Sequence, residues 1–458
     1  MRSVSPAAAG VDIPAAWSVN PDPTRAQGSS LAQWWSRFGD PTLEGLVTDA
    51  LESNTSVQSA KAALRQARAL RDAAAGGLLP AVDASTSAQR SRRGSSTENT
   101  FQAGLDASWE MDIFGVNRNA LRASEATARA AGATLGDTQV SIAAEVALSY
   151  IALRDYEARF AIASANLESQ QETLQITRWR LQAGLVPSLD VEQARTIVEQ
   201  TRSQLPAYQT GIAQNRHALA MLTGRPPMSL SGVLSATAPV PEARAELSLS
   251  IPADTLRQRP DVRAAEHQLA AAVARVAESK AVRMPTFTLG ASVGLSALTL
   301  GTLTDGASVV SAVLANASIP VFRGGALSAQ VRAQQAALDQ AREAYKAAVL
   351  TALTDVEDAL VALSGDRERL GSLEKAAEAA ANAALLARQQ YSSGLVDFQI
   401  VLETQRAQLN TQEGVAVARA DLSADHVRLY KALGGGWLAG SDDPAPLARL
   451  SALPPGSS

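Results

Sequence analysis

The sequence predicts a mostly α-helical chain with two β-hairpins, built from two copies of one structural unit. Segments of the first half recur in the same order in the second half, displaced by 205 to 210 positions. Two long stretches keep an apolar residue at every seventh position, and two shorter stretches alternate apolar with polar residues. The chain has 458 residues, which is enough for two such copies.

The composition excludes several classes of function. A net charge of −4 gives no basic surface for nucleic acid, and a sequence with no cysteine has no disulfide, thiol nucleophile or cysteine-based metal site. Aromatic residues make up only 4% of the chain, as is typical of long helices rather than of a bulky core. His217, His267 and His426 lack metal-ligand spacing, so we predict neither a metal site nor a cofactor.

Internal repetition sets the expected domain boundaries. The interval from Val57 to Pro80 equals the interval from Val262 to Pro285, and both segments are alanine-rich and end at proline. A duplication explains this agreement better than chance. We therefore expect an extended N-terminal segment at 1–30, a first repeat at 31–240, a second repeat at 241–437 and a mobile tail at 438–458.

Each repeat begins with a helix and a β-hairpin, which we place at about 81–113 and 285–321. The second strand of the first hairpin alternates over about 13 residues, long enough to cross a bilayer at the tilt of membrane strands. Its apolar positions are Phe101, Ala103, Leu105, Ala107, Trp109, Met111 and Ile113. In the second hairpin the apolar positions are Phe287, Leu289, Ala291, Val293 and Leu295. We expect the hairpin loops near 92–99 and 297–306.

Each hairpin is followed by a very long helix, at about 116–183 and 325–391, and then by another helix, at about 188–222 and 396–433. The heptad positions of the first long helix are Val146, Leu153, Phe160, Leu167, Leu174 and Leu181, and those of the second are Val356, Leu363, Leu370, Ala377, Ala384 and Tyr391. A sustained seven-residue repeat indicates coiled-coil packing. Gly184 and Gly394 lie where each long helix must end and reverse.

The number of strands carries a consequence for assembly. Four strands cannot close a barrel, and an open sheet edge is not tolerated in lipid. If these strands meet lipid, closure therefore requires several chains. An ordinary amphipathic sheet on a soluble core is disfavoured, because each hairpin lies between long helices and no other sequence is available to pair with it.

Three motifs resemble the TolC-like outer-membrane efflux proteins, the outer-membrane factors of tripartite resistance-nodulation-division pumps. They are WWSRFGDP at 34–41, WEMDIFG at 109–115 and LRQRPDVRAAE at 256–266. The resemblance covers roughly 34–433, with the motifs in the family's order and spacing. The chain is most similar to the lipoprotein branch, although it contains no cysteine that could carry an acyl anchor.

The resemblance implies a homotrimer in the outer membrane, with a 12-stranded β-barrel and a long periplasmic α-barrel made of the coiled helices. It also implies a passive export duct, with no enzymatic activity, that docks to a periplasmic adaptor and an inner-membrane pump. The implied surroundings are outer-membrane lipid, and no nucleic acid is involved. By this resemblance the duct narrows at the periplasmic tip, at the turns of Gly184 and Gly394.

The resemblance also implies which residues close the tip. Asp190 matches the first-half position of the family's inter-helix lock, and Tyr391 matches its tyrosine partner. Glu403 matches a position where the family usually carries an aspartate in the constriction ring, and Ile400 replaces a second acidic position found in some relatives. The competing interpretation is that Asp190 and Glu403 are solvated charges on helix faces.

Two other functions compete with the duct. A soluble periplasmic adaptor also carries a long coiled hairpin, but usually a single one between globular β-rich domains. A cytoplasmic coiled-coil scaffold would leave the amphipathic strands unexplained. Dependence on detergent separates the duct from both.

Overall fold

The computed structural model describes Trp17 and residues 31–243 and 258–437. These residues form long helices and one four-stranded sheet, so the predicted fold class is confirmed. Of the segment predicted at 1–30, only Trp17 is described, and its side chain is buried beside Val356 and Leu429. The predicted tail at 438–458 lies outside the described residues, as does the start of the motif at 256–266.

The helices and strands follow the order expected for two repeats. After a short helical segment at Leu31–Phe38, the first repeat contains α1 (Pro41–Ser53), α2 (Thr55–Gly76), β1 (Ala81–Arg93), β2 (Ser96–Met111), α3 (Val116–Gln182) and α4 (Ser188–Leu222). The second repeat contains α5 (Pro260–Ala281), β3 (Thr286–Ala297), β4 (Val309–Ser318), α6 (Ala326–Ser392) and α7 (Phe398–Ala432).

The helix expected before the first hairpin is in fact two helices, separated at Asn54. The Asn54 side-chain oxygen accepts hydrogen bonds from the backbone N–H groups of Ser56 (2.8 Å) and Val57 (3.3 Å), and so caps the start of α2. Its side-chain nitrogen donates to the carbonyl of Leu222 at 2.9 Å. The buried amide therefore ties this break to the end of α4, which a sequence pattern does not reveal.

The described residues form two compact units. One unit comprises 61–134 and 261–348 and contains the sheet. The other comprises the remaining described residues, including the segments from Leu135 in α3 and from Val349 in α6 and the whole of α4 and α7. None of the helices in the described part of the chain is apolar enough over sufficient length to cross a membrane.

The sheet is an antiparallel meander in the order β1-β2-β3-β4. The two hairpins are joined by β2 and β3, whose register pairs Leu105 with Val293 and Trp109 with Leu289. Because cross-strand partners point to the same side, the predicted alternation of both hairpins produces one continuous apolar face. Ile113 was predicted to extend this strand, but β2 ends at Met111.

The loop prediction for the first hairpin was wrong. The turn consists of Gly94 and Ser95 alone, since β1 continues to Arg93 and β2 begins at Ser96. Gly94 has a φ of 61°, which glycine adopts without steric cost in a two-residue hairpin turn. Polar residues that suggested a loop at 92–99 are instead paired in the strands. In the second hairpin the connection runs over 298–308 and contains two short 3-10 turns.

The unit that contains α4 and α7 has an aromatic core. The Trp34 ring stacks on Tyr430 with centroids 5.3 Å apart and meets Phe38 edge-on at 6.1 Å. Close by in sequence, Asp40 caps the start of α1 and accepts a hydrogen bond of 2.7 Å from Tyr150 of α3. The sequence motif at 34–41 therefore serves as a packing anchor.

Candidate functional site: the helical tip

Two tight turns join α3 to α4 and α6 to α7. Gly184 and Gly394 have φ values of 73° and 72°, in the left-handed region that glycine occupies most easily. At Gly184 the backbone N–H groups of Gly184 and Leu185 donate to the carbonyls of Leu181 (2.9 Å) and Arg180 (2.8 Å). The same two bonds recur at Gly394, so both helices end in the same glycine cap.

The helices next to these turns share an apolar cluster. Its buried members come from α3, α4, α6 and α7: Leu167, Leu174, Val191, Ala194, Ile197, Val198, Ala387, Tyr391, Phe398, Val401 and Leu402. The predicted heptad position on α3 is buried at Leu174 but exposed at Leu181. The last buried residue of α3 is Thr177, so burial ends about two turns before Gly184. In this region, which we call the tip, the two helical hairpins of one chain are held together by side-chain packing.

Tyr391 is the predicted site residue that contacts the other hairpin most directly. The guanidinium carbon of Arg180 lies 4.3 Å from the centroid of the Tyr391 ring. The ring of Phe398 packs on the Tyr391 ring with centroids 5.2 Å apart. Arg180 also donates to the carbonyls of Tyr391 (3.2 Å) and Ser392 (3.1 Å). A cation at the end of α6 is favourable because unpaired carbonyls gather there.

Arg180 was not among the predicted site residues. Its sequence signal was weak, since a basic residue one turn before a helix-ending glycine is common on any helix. Its contacts reach residues 211 and 212 positions away, and the sequence alone does not pair these two turns.

Asp190 lies at the start of α4, half-buried near the tip. Burial, together with the negative charge of Asp397 at the start of α7, raises the pKa of its carboxyl group. The predicted bond from Asp190 to Tyr391 is not formed in this structure, because the Tyr391 hydroxyl is buried without a hydrogen-bond partner among the described residues. The role of Asp190 in closing the tip stays a prediction.

Glu403 lies exposed on α7, where it accepts a hydrogen bond of 3.2 Å from Gln399, one turn earlier. Ile400, on the same helix, is 42% exposed. The structure of one chain thus brings Tyr391 into the tip cluster and leaves Glu403 on its surface. A ring of Glu403 side chains requires other copies of the chain.

A polar seam continues from the tip between α3 and α7. Asn166 donates to Gln412 at 2.8 Å, and Gln405 donates to Thr173 at 3.0 Å. Gln170 lies between these pairs in sequence and is 3% exposed, yet neither polar atom of its amide has a hydrogen-bond partner among the described residues. The spacing of seven on both helices could have identified the pairs, because antiparallel coils repeat their contacts every heptad.

The side chains of the tip connect helices to one another. They supply apolar packing, a cation–aromatic contact and hydrogen bonds, which suit a mechanical constriction. No group of three or more His, Asp or Glu side chains that could hold a metal ion occurs in the described part of the chain.

Two of the histidines named in the sequence analysis are partly buried. Burial lowers the pKa of His267 on α5 and of His426 on α7.

Comparison with known proteins gives consistent results. Residues 46–225 and 251–435 match the family described as "Outer membrane efflux protein". The chain is 32% identical over 412 residues to Nodulation protein T of Rhizobium leguminosarum bv. viciae, covering 90% of the chain and 85% of that protein. It is 32% identical over 451 residues to the pyoverdine export outer membrane protein OpmQ of Pseudomonas putida, covering 95% of each. The outer-membrane channel OprN superposes with a TM-score of 0.86 at 34% identity, covering 93% of this chain and 98% of that one.

Proposed function

Since this chain belongs to the outer membrane efflux protein family and is an outer-membrane efflux channel rather than a soluble adaptor, we propose that it works as a passive duct whose gate is the tip. The duct exports small molecules and catalyses no reaction. It lies in the outer membrane of a Gram-negative bacterium, with a large periplasmic portion.

The working form is a homotrimer whose sheets together close a β-barrel. Each chain contributes four strands, and β1 and β4 are edge strands. The barrel of three chains has twelve strands, three times four, and closure satisfies the backbone groups of both edges. The exposed apolar face of the sheet, with Leu105 at 50% and Val293 at 52% exposure, suits contact with outer-membrane lipid.

The gate is formed where Gly184 and Gly394 reverse the helices. Arg180 and Tyr391 hold the two hairpins of one chain together, and Asp190 and Glu403 act at the contacts between chains. Three Glu403 carboxylates around the axis form a ring that attracts cations, as acidic rings in pores do. Opening separates the hairpins or moves them relative to neighbouring chains, and no covalent step is needed.

The duct completes a tripartite assembly with a periplasmic adaptor and an inner-membrane pump. The energy for transport comes from the pump, because a passive conduit only provides a path. The lumen makes weak contacts with its cargo, so the pump selects what is exported.

One experiment tests the trimeric duct. The mass of the detergent-extracted protein, measured by light scattering with correction for bound detergent, is expected to be three times the chain mass of 47.7 kDa. The trimer is expected to precipitate when detergent is removed. A monomer that stays in solution without detergent would contradict the proposal and favour a soluble adaptor.

A further inference from the structure

The apolar face of the sheet has a sharp boundary near the first hairpin turn. Register and alternation arrange this face in rows of cross-strand neighbours, such as Val82, Ala107, Ala291 and Val313. Six successive rows, from the row of Met111 to the row of Phe101, contain no charged side chain on this face. Their large apolar members include Phe101, Leu105, Trp109, Phe287, Val293 and Val313.

The two rows beyond this band are polar. Arg90 pairs with Asn99, and Arg92 pairs with Thr97. Both arginines are exposed and continue the alternation of Val82 and Ala88, so they lie on the apolar side of the sheet. Glu98 pairs with Ser91 and belongs to the opposite face. The cross-strand neighbours of the two arginines are therefore uncharged.

The height of the apolar band matches the membrane. From Phe101 to Met111 a strand rises about 34 Å, and a tilt near 45° reduces this to roughly 24 Å across the bilayer. Outer-membrane barrels have an apolar band of about 25 Å. Arg90 and Arg92 then lie about 5 Å and about 10 Å beyond its edge, which is the level of the lipid headgroups.

We propose that Arg90 and Arg92 bind phosphate groups of an anionic lipid in the outer leaflet. This inference rests on the proposed membrane duct. A guanidinium forms paired hydrogen bonds to phosphate oxygens, and its aliphatic stem lies favourably along the apolar surface below it. Two arginines two residues apart on one strand face present adjacent donors to the same headgroup. The occupant of this surface is a phosphorylated lipid rather than free phosphate, because the apolar rows beneath the arginines fit acyl chains.

The test uses the full-length trimer in a neutral detergent, titrated with diphosphoryl lipid A, with phosphatidylcholine and with pyrophosphate. We expect wild-type protein to bind diphosphoryl lipid A, and the double variant Arg90→Ala/Arg92→Ala to bind it about 30-fold more weakly. The charge-retaining variant Arg90→Lys/Arg92→Lys is expected to bind more tightly than the alanine variant but more weakly than wild type, because lysine keeps the charge and loses the paired hydrogen bonds. The matched control Gln89→Ala/Ser91→Ala alters the opposite face of the same strand and is expected to bind like wild type.

The outcomes separate the explanations. Equal affinity of the alanine variant and wild type for diphosphoryl lipid A would overturn the inference while leaving the trimer intact. Wild-type binding of pyrophosphate at the same affinity would also overturn it, because acyl chains then play no part. Asp305 is an exposed acidic residue in the connection between β3 and β4. If the arginines instead pair with Asp305 of a neighbouring copy, Arg90→Ala/Arg92→Ala and Asp305→Asn lower trimer stability equally without lipid, and that result would overturn the inference. Should the alanine variant fail to form trimers, Arg90→Gln and Arg92→Gln are each expected to weaken lipid binding about fivefold. A wild-type chain that is not a detergent-dependent trimer would contradict the proposed function itself.

Discussion

Arg180 of α3 lies over the ring of Tyr391 of α6, with its guanidinium carbon 4.3 Å from the ring centroid. The same guanidinium donates to the Tyr391 carbonyl at 3.2 Å. One side chain therefore joins the ends of both long helices, one turn before each helix reverses. Within a single chain this contact joins α3 to α6 at the tip, where the described residues form no bond from Asp190 to Tyr391.

The Tyr391 hydroxyl gives the first prediction. Because this hydroxyl is buried without a partner in the described structure, Tyr391→Phe is expected to leave the free energy of unfolding unchanged or to raise it by about 1 kcal/mol. Thermal denaturation in detergent measures the change. A clear fall in Tm, together with higher conductance, would mean that the hydroxyl is bonded to another chain in the trimer.

The polar seam provides a matched pair of substitutions. Gln170→Leu removes two buried polar groups that have no partner in the described part of the chain, so we expect the free energy of unfolding to rise by about 1–3 kcal/mol. Gln405→Leu removes a hydrogen bond to Thr173 and is expected to cost about 1 kcal/mol. We therefore expect the denaturation midpoint to rise for Gln170→Leu and to fall for Gln405→Leu. A lower midpoint in both variants would show that Gln170 is hydrogen-bonded to water or to a neighbouring chain.

The turn glycines are expected to tolerate alanine worse than glycines within a helix. At Gly184 an added Cβ meets no atom within 4 Å, so Gly184→Ala tests backbone strain alone and should cost about 1 kcal/mol. Gly371 lies within α6 and is equally open, so Gly371→Ala should stabilise by up to about 1 kcal/mol. Equal effects of the two changes on Tm would contradict the left-handed cap.

We expect Asp425 of α7 to make the free energy of unfolding depend on pH. It is 1% exposed, and burial, together with Asp366 on α6, raises the pKa of its carboxyl group against the opposing effect of Arg428. Arg428 donates to it at 2.5 Å, while Arg369 bridges Asp366 and Asp421. Between the ordinary and the raised pKa, the folded chain therefore binds more protons at this site than the unfolded chain does.

The sign of the effect follows from that difference in proton binding. The free energy of unfolding falls as the pH rises from the ordinary carboxyl pKa of 3.8 towards the raised pKa of Asp425 in the folded chain. Asp425→Asn should remove this slope and raise Tm near neutral pH. Denaturation of wild type and variant between about pH 4 and pH 7 checks the prediction. Parallel curves for the two proteins would show that Asp425 does not carry the effect.

The sequence predicted those features that repeat along the chain. The heptads and the glycines at 184 and 394 specify the long helices and their turns, because each is a local pattern with a fixed backbone geometry. The alternation that includes Leu105 and Val293 predicted a shared face, which the register then produced. Polar residues near the first hairpin turn were misjudged as loop, since Gly94 and Ser95 suffice to turn the chain.

The contacts that join distant segments were not predictable in this way. The placement of Arg180 on Tyr391 depends on how two coils are rotated relative to each other, which composition and period do not determine. Asn54 breaks a helix because its amide reaches the Leu222 carbonyl, and that contact spans 168 positions. The predicted bond from Asp190 to Tyr391 depends in the same way on the rotation of two coils, and the predicted ring of Glu403 concerns contacts between chains, which one protomer does not contain.

Single-channel conductance in planar bilayers tests the gated duct most directly. We expect a small conductance for the wild-type trimer and a larger one for Arg180→Ala and for Asp190→Ala, because both changes loosen the tip. The control Arg342→Ala, at an exposed site on α6 outside the tip, should behave like wild type. A wild-type conductance already equal to that of both tip variants would contradict the account, since the tip then imposes no restriction on flow.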